Sequence, residues 1–377
     1  MKKLKIAMLG HKRIPSREGG VEIVVDKLST LMVEKGHDVT VYNRGGKHVS
    51  GEEYGVTDLK EYNGVKLKKV ITIDKKGLAA MTSSFFASLC AAFASYDVVH
   101  FHAEGPCAFT WLPKLFGKRV VATIHGLDWQ RAKWGGFATK YLQFGEKMAV
   151  KFADEIIVLS KNVQRYFKDT YNRETVFVPN GIDKPEYVVP QIISERWGLQ
   201  KDSYILFLGR IVPEKGIKYL VEAFKGVSTD KKLVIAGGSS DTADFMNEIK
   251  AMAKEDERII FTGFVQGQAL EELYSNAYVY TLPSDLEGMP ISLLEAMSYG
   301  NCCLVSDIPE CSEVVDDNAV VFEKSYVEDL KIKLQMLCND VELVKKYKNE
   351  ASDYVCNKFR WDDVVDKTIR LYMKGSL

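Results

Sequence analysis

Residues 277–299 read AYVYTLPSDLEGMPISLLEAMSY, and their order decides the class of fold. The apolar run Ala277–Leu282 predicts a strand. The segment after it carries Asp285, Glu287 and Gly288. A helix is predicted from Pro290 to Tyr299, with Pro290 as its first residue, where the missing N–H of proline is no loss. Strand, acidic loop and helix in that order form one step of a doubly wound α/β sheet.

The same step repeats in both directions. Upstream in this half lie strand Tyr204–Gly209, helix Lys215–Phe224, strand Lys232–Ala236, helix Asp244–Lys254, strand Ile259–Thr262 and helix Gln268–Ser275. The first half alternates likewise. Apolar run Leu4–Leu9 leads through Gly19-Gly20 to an amphipathic stretch Val21–Lys35, and Gly36 stops it before strand Asp38–Tyr42. Further strands are expected at Asp97–His102, Arg119–His125, Glu155–Ser160 and Thr175–Pro179. Asn180–Pro190, with Gly181, Pro185 and Pro190, reads as a linker. A chain of 377 residues exceeds what one core usually supports. Two Rossmann-like parallel-sheet domains are therefore expected, residues 1–185 and 186–359, with a helix over about 360–377 packing back on the first. In open α/β sheets ligands bind beyond the carboxyl ends of the strands, so two such sheets facing each other across a cleft would form one deep site.

Composition excludes several classes. Lys plus Arg and Asp plus Glu both number 51, so no whole-chain attraction to nucleic acid is expected. The seven cysteines are scattered, with no C-x-x-C, which argues for reduced thiols and against a disulfide framework or a zinc site. Gly77–Tyr96 has no charge and is long enough to cross a bilayer, but Thr82, Ser83, Ser84, Ser88 and Ser95 interrupt it. A helix buried against a sheet explains it better. The N-terminus enters a strand at once, so no signal peptide is expected.

The candidate site residues follow strands. Glu287 lies in a strand-to-helix loop and Glu295 in the second turn of the helix. Both can face a ligand at a helix N-terminus, where backbone N–H groups and the dipole attract phosphate. Carboxylates beside such a site accept hydrogen bonds from sugar hydroxyls; the plain alternative is a solvated helix face. Arg210 and Lys215 follow strand Tyr204–Gly209, and paired cations there would stabilise a leaving diphosphate. Gly19 and Gly20, reached by way of Lys12, Arg13 and Arg17, form a glycine turn at a helix start, either a phosphate approach or a tight turn. There is no G-x-G-x-x-G, against a dinucleotide dehydrogenase. His125 ends a strand and could donate to a sugar hydroxyl; His100 and His102 end another. Trp129, Trp134 and Arg131 could form a platform for an acceptor, though tryptophans also serve as core.

The E-x7-E element of Glu287 and Glu295, the segment Gly209-Arg210-Ile-Val-Pro-Glu-Lys215-Gly216 and Val178-Pro-Asn180-Gly181-Ile182-Asp183 together resemble glycosyltransferase family 4. The resemblance implies the GT-B fold and a retaining hexosyl transfer from a nucleotide-diphosphate sugar. It implies that Arg210 and Lys215 hold the diphosphate, Glu295 the ribose, and Glu287 and His125 the transferred sugar. The implied donor set adds Gly19, Gly20, Gly263, Phe264, Val265, Gly288, Met289 and Pro290; the acceptor set is Arg17, Asp128, Trp129 and Arg131. Many members have glycine where Pro290 stands. No cofactor or metal is implied, and the chain contains no D-x-D. The segment after His125 resembles bacterial polysaccharide rhamnosyltransferases, which implies a glycan or lipid-linked glycan acceptor in surface polysaccharide synthesis, and a cytoplasmic protein with peripheral membrane contact. The alternatives are a nucleotide-sugar epimerase of similar architecture and a non-catalytic nucleotide-sugar-binding protein.

Overall fold

The first strand, β1 (Lys5–Leu9), is buried at every residue but the first, as a strand covered on both faces must be. The computed structural model describes residues 2–46, 59–75, 77–131, 136–238 and 243–374. The chain forms two compact units, Met1–Gly181 with Trp361–Leu377, and Ile182–Arg360.

In the first unit, helix α1 (Gly20–Glu34) follows β1 and buries Val24, Val25, Leu28 and Met32. Then come β2 (Asp38–Arg44), β3 (Glu61–Tyr62), β4 (Val65–Val70), α2 (Leu78–Phe93), β5 (Val98–His102), α3 (Trp111–Leu115), β6 (Arg119–Ile124), α4 (Phe137–Phe152), β7 (Glu155–Val158), α5 (Lys161–Tyr171) and β8 (Val176–Phe177). Among the described residues the strands form one sheet in the order β3-β4-β2-β1-β5-β6-β7-β8. Every pairing is parallel except that of β3 with β4. This hairpin pair is absent from the sequence-based expectation: β3 is a two-residue edge strand, and β4 beside it mixes buried and exposed residues, a weaker signal than the continuous apolar runs of the centre. Leu9, Val99, Phe101, Ala122, Ile124, Val158 and Phe167 meet in the core.

The uncharged stretch near residue 80 is the helix α2, and its inward face is made of small residues, Ser83, Ser84, Ala87, Ser88, Ala91 and Ala92. Burial of the serines is tolerated because their hydroxyls bond back within the helix, Ser84 to the Ala80 carbonyl (2.7 Å) and Ser88 to that of Ser84 (2.7 Å). Among the described residues no helix is long and apolar enough to cross a membrane.

The second unit contains α6 (Ile192–Trp197), β9 (Tyr204–Leu208), α7 (Ile217–Lys225), β10 (Lys232–Ala236), α8 (Ala243–Ala253), β11 (Ile259–Gly263), α9 (Gln268–Asn276), β12 (Val279–Leu282), α10 (Ile291–Ser298), β13 (Cys302–Ser306), α11 (Pro309–Val315), β14 (Val320–Phe322), α12 (Val327–Asn339) and α13 (Val341–Lys358). Its described strands make a parallel sheet, β11-β10-β9-β12-β13-β14. The predicted start of α10 shifts by one residue. Pro290 is the cap, with φ −74° and an extended ψ of 105°, while its carbonyl already accepts from Leu293 and Leu294. All seven cysteines are free thiols. The segment before α6 is pinned to α9: the Glu272 carboxylate accepts the N–H groups of Gln191 (2.9 Å) and Ile193 (3.0 Å).

The last helix, α14 (Trp361–Met373), belongs to the first unit. Lys35, the C-cap of α1, pairs with its Asp366 at 2.9 Å, and Arg119 donates to its Leu371 carbonyl at 2.9 Å. His100 is the pillar of this packing. One ring nitrogen meets the Tyr372 hydroxyl at 2.6 Å and the other the Thr123 hydroxyl at 2.7 Å, all of it buried. Tyr372→Phe strands one nitrogen without a partner, so the first unit should lose about 1–3 kcal/mol. Urea unfolding followed by hydrogen exchange in β5 and β6 measures this, and an unchanged protection pattern would refute it.

Candidate active site

In the second unit, three neighbouring strands end in glycine. The N–H of Gly209 donates to the Ala236 carbonyl (3.0 Å), that of Gly237 to Gly263 (2.8 Å) and that of Ile211 to Gly238 (3.0 Å). Gly237 has φ +148°, and a Cβ there would stand 1.8 Å from the Gly209 carbonyl oxygen, so only glycine fits. Arg210 leaves β9, and Gly263, Phe264 and Val265 leave β11 one strand further on, with Gly237 and Gly238 at the end of β10 between them. All six are half-buried.

The loop after β9 is clamped to the loop after β12. Gly216 has φ +65°, and a Cβ on it would come within 1.9 Å of the Pro283 carbonyl oxygen. One residue earlier but one, the carbonyl of Glu214 accepts the Asp285 N–H at 2.9 Å. This clamp brings Lys215 to Glu287: Nζ lies 2.5 Å from Oε1, with the side chains only 14% and 9% exposed. The Ser284 hydroxyl donates to the same oxygen at 2.6 Å. The neighbouring acid serves other partners, since Asp285 accepts from the hydroxyls of Tyr219 (3.2 Å) and Ser325 (2.7 Å). Among the described residues, no cluster of three or more His, Cys, Asp or Glu is arranged to hold a metal ion.

Buried Gly288 and Met289 lead to Pro290 at the cap of α10. Glu295 lies in the second turn, half-buried, and the Tyr274 hydroxyl donates to its Oε2 at 3.0 Å. Tyr274 is itself stacked on Tyr299, with ring centroids 5.4 Å apart and 13° between planes. The two carboxylates thus flank one helix N-terminus, each oriented by a hydroxyl donor.

In the first unit, histidines gather where β1, β5 and β6 end. His102 Nδ1 and His125 Nε2 are 3.1 Å apart, and His11 Nε2 meets the Asn43 amide oxygen at 3.1 Å. Burial pushes His11 and His125 down to about 4, His100 to about 3, and His102 well below its ordinary value. At neutral pH these rings are uncharged. His125, 9% exposed, is hydrogen-bonded to His102, one of the paired rings donating to the other. Gly19 caps α1 in extended conformation and Gly20 begins it. Glu22 in that first turn reaches back to accept the Lys12 N–H at 2.9 Å. Arg17 is exposed, near Asp26.

The segment after His125 is fastened from inside. Asp128 pairs with Arg131 at 2.8 Å, and the Trp129 indole donates to Glu146 Oε2 at 3.2 Å. Glu146 also accepts from the hydroxyls of Tyr166 (2.9 Å) and Tyr171. Beside it, burial together with the charges of Asp128 and Glu146 pushes Glu104 up to about 11, so Glu104 is a neutral acid, and neither of its carboxyl oxygens has a hydrogen-bond partner among the described residues. Trp129 packs against the core of this unit. It is better placed as the anchor of the Asp128–Arg131 turn than as an open platform, because its polar tip is already satisfied inward. Trp134 lies outside the described residues. His100, left open between site and scaffold by the sequence, is scaffold.

Several site residues escaped sequence reasoning. Gly237 and Gly238 follow a strand as Gly19 and Gly20 do, and that signal was available. Ser284, Tyr274, Glu104 and Glu146 carried no local signal, since their partners are distant in sequence.

Residues 18–185 match the family model described as Glycosyltransferase Family 4, and residues 191–354 match that of Glycosyl transferases group 1. The chain belongs to the glycosyltransferases of these two models, built on the GT-B fold. It is similar to an uncharacterized glycosyltransferase of Methanocaldococcus jannaschii, 25% identical over 98% of each chain. Among solved structures it is similar to sucrose-phosphate synthase of Thermosynechococcus elongatus, with TM-score 0.84, 20% identity and 99% of each chain covered. It is also similar to HepE of Anabaena in complex with UDP and glucose, with TM-score 0.82, 15% identity, and 99% of this chain and 100% of that one covered.

The buried histidines set the response to acid. Their folded pKa values are depressed, so the unfolded chain binds protons first, and stability falls as pH drops from about 6.5 towards 4. Glu104, raised in the fold, opposes this with one proton above about pH 4.5. With His11, His37, His100, His102 and His125 on one side and Glu104 and Asp26 on the other, unfolding near pH 5 should take up about three protons. The slope of unfolding free energy of the first unit against pH measures it; a flat profile between pH 6.5 and 5 would overturn the assignment.

Proposed function

We propose that the protein transfers a hexosyl group, with retention of configuration, from a nucleoside-diphosphate sugar to a glycan or lipid-linked glycan in surface polysaccharide synthesis. The observation that carries the proposal is the Lys215–Glu287 pair beside the N-terminus of α10, with Glu295 eight residues on. Without ligand, the ammonium offsets the cost of a nearly buried carboxylate. A diphosphate entering at the glycine-lined strand ends offers Lys215 and Arg210 a doubly charged partner. Glu287 is then released to accept hydrogen bonds from the transferred sugar, while Glu295, held by Tyr274, accepts from ribose hydroxyls. Leaving-group charge is met by Arg210, Lys215 and the helix N-terminus, each such contact worth roughly 10²–10³ in rate.

In this reading the acceptor hydroxyl attacks on the side from which the diphosphate departs, and a phosphate oxygen takes its proton, so no protein nucleophile is needed. His125, uncharged, donates or accepts a hydrogen bond at the transferred sugar. Asp128 and Arg131 meet the acceptor, with Arg17 supplying a further cation and Trp129 fixing their turn. Work at the cytoplasmic face of a membrane fits a lipid-linked acceptor.

Glu287→Ala should lower turnover by a hundredfold or more at saturating donor without unfolding the second unit, measured by product formation beside a melting curve. His125→Ala should reduce turnover more than donor affinity, whereas Glu295→Ala should chiefly weaken binding of the free nucleoside diphosphate. Near-normal turnover in Glu287→Ala would sink the assignment.

A divalent metal held by Asp285 and Glu287 would do the same electrostatic work as the two cations. The hydroxyl partners of Asp285 and the ammonium on Glu287 favour the cation account. Activity should persist in excess EDTA after bound metal is removed. Full loss, restored by Mn²⁺ or Mg²⁺, would recast both acids as ligands.

A further inference from the structure

Helix α4 has a face that neither candidate site uses. It buries Leu142, Gly145, Glu146 and Ala149. On the opposite side Phe137, Lys140, Phe144, Lys147 and Lys151 recur at steps of three, four, three and four, and all five are exposed. Phe137 is 81% exposed and Phe144 49%. The only acid of the helix is Glu146, turned fully inward onto Trp129, Tyr166 and Tyr171. The outer stripe therefore carries three ammonium groups and two aromatic rings, with no carboxylate from its own helix, on a chain whose formal net charge is zero.

A solvated helix face accounts for the lysines but leaves both phenylalanines unexplained. A partner helix would need apolar residues along the whole seam, and three of the five seam positions are lysine. An anionic lipid surface satisfies both kinds of residue at once: the rings enter the acyl boundary while the lysine stems lie along it and their heads reach the phosphates. The 16 residues of α4 present this stripe over about 24 Å.

We propose that the outer stripe of α4 docks the protein on an anionic bilayer. The same helix grips the turn Asp128–Arg131 from its inner side through Glu146 and Trp129. Docking would thus hold that turn at headgroup level, where a lipid-linked acceptor presents its first sugars. Only this last point rests on the proposed function; the docking itself does not.

The test is co-sedimentation of the full chain with vesicles of phosphatidylcholine alone and with about one-third phosphatidylglycerol. Binding is expected to the anionic vesicles only, weakening as salt rises. Lys140→Glu, Lys147→Glu and Lys151→Glu combined should lower it roughly a hundredfold or more. Phe137→Ser with Phe144→Ser should abolish it at physiological salt. All five side chains are exposed, so melting temperature and transfer to a water-soluble acceptor should stay unchanged in both variants. Loss of that transfer in the unvaried chain would instead count against the proposed function. No binding to anionic vesicles, or binding that both variants keep, overturns the proposal. So does a dimer in sedimentation velocity that the phenylalanine variant converts to monomer, which would make the stripe a seam between copies.

Discussion

The contact between Gly216 and the Pro283 carbonyl oxygen governs the second unit. No side chain takes part in it. Its content is the absence of a Cβ, which would lie 1.9 Å from that oxygen. Because the backbones can touch, the loops after β9 and β12 share the Glu214–Asp285 hydrogen bond, and Lys215 reaches Glu287. The contact of Gly237 with Gly209 does the same for the ends of β9 and β10. The chemistry of this unit is charged, but its geometry is set by places where there is nothing to collide.

The first unit solves the opposite problem. Its titratable groups at the strand ends are uncharged: histidines too deeply buried to protonate, and Glu104 too deeply buried to ionise. Hydrogen bonds among neutral groups are directional without demanding counter-ions. Glu146 gathers an indole and two phenols as donors.

Central strands and the helices between them were legible because they are written locally, as continuous apolar runs such as β5 and β9 and as glycine or proline at their ends. The edge pair β3 and β4 was not, since a half-exposed strand resembles a polar loop. The motif acids and cations could be located in sequence, but not the pairing of Lys215 with Glu287, which joins residues 72 apart. Nor could the inward commitment of Trp129 be read, because nothing near it in sequence announces Glu146. Residue types and spacing reveal what a loop can do chemically; long-range partners decide which of those options remains.

The order of the units along the chain has a consequence for synthesis. Ile182 and Arg360 pair at the boundary of the second unit, so its two ends meet, and α14 alone returns to the first. A nascent chain would expose β5 and β6 with His100 lacking Tyr372 until all of the second unit had been made. At ordinary elongation rates that delay is roughly ten to forty seconds. The second unit can close as soon as Arg360 emerges, whereas the first, although begun earlier, is completed last.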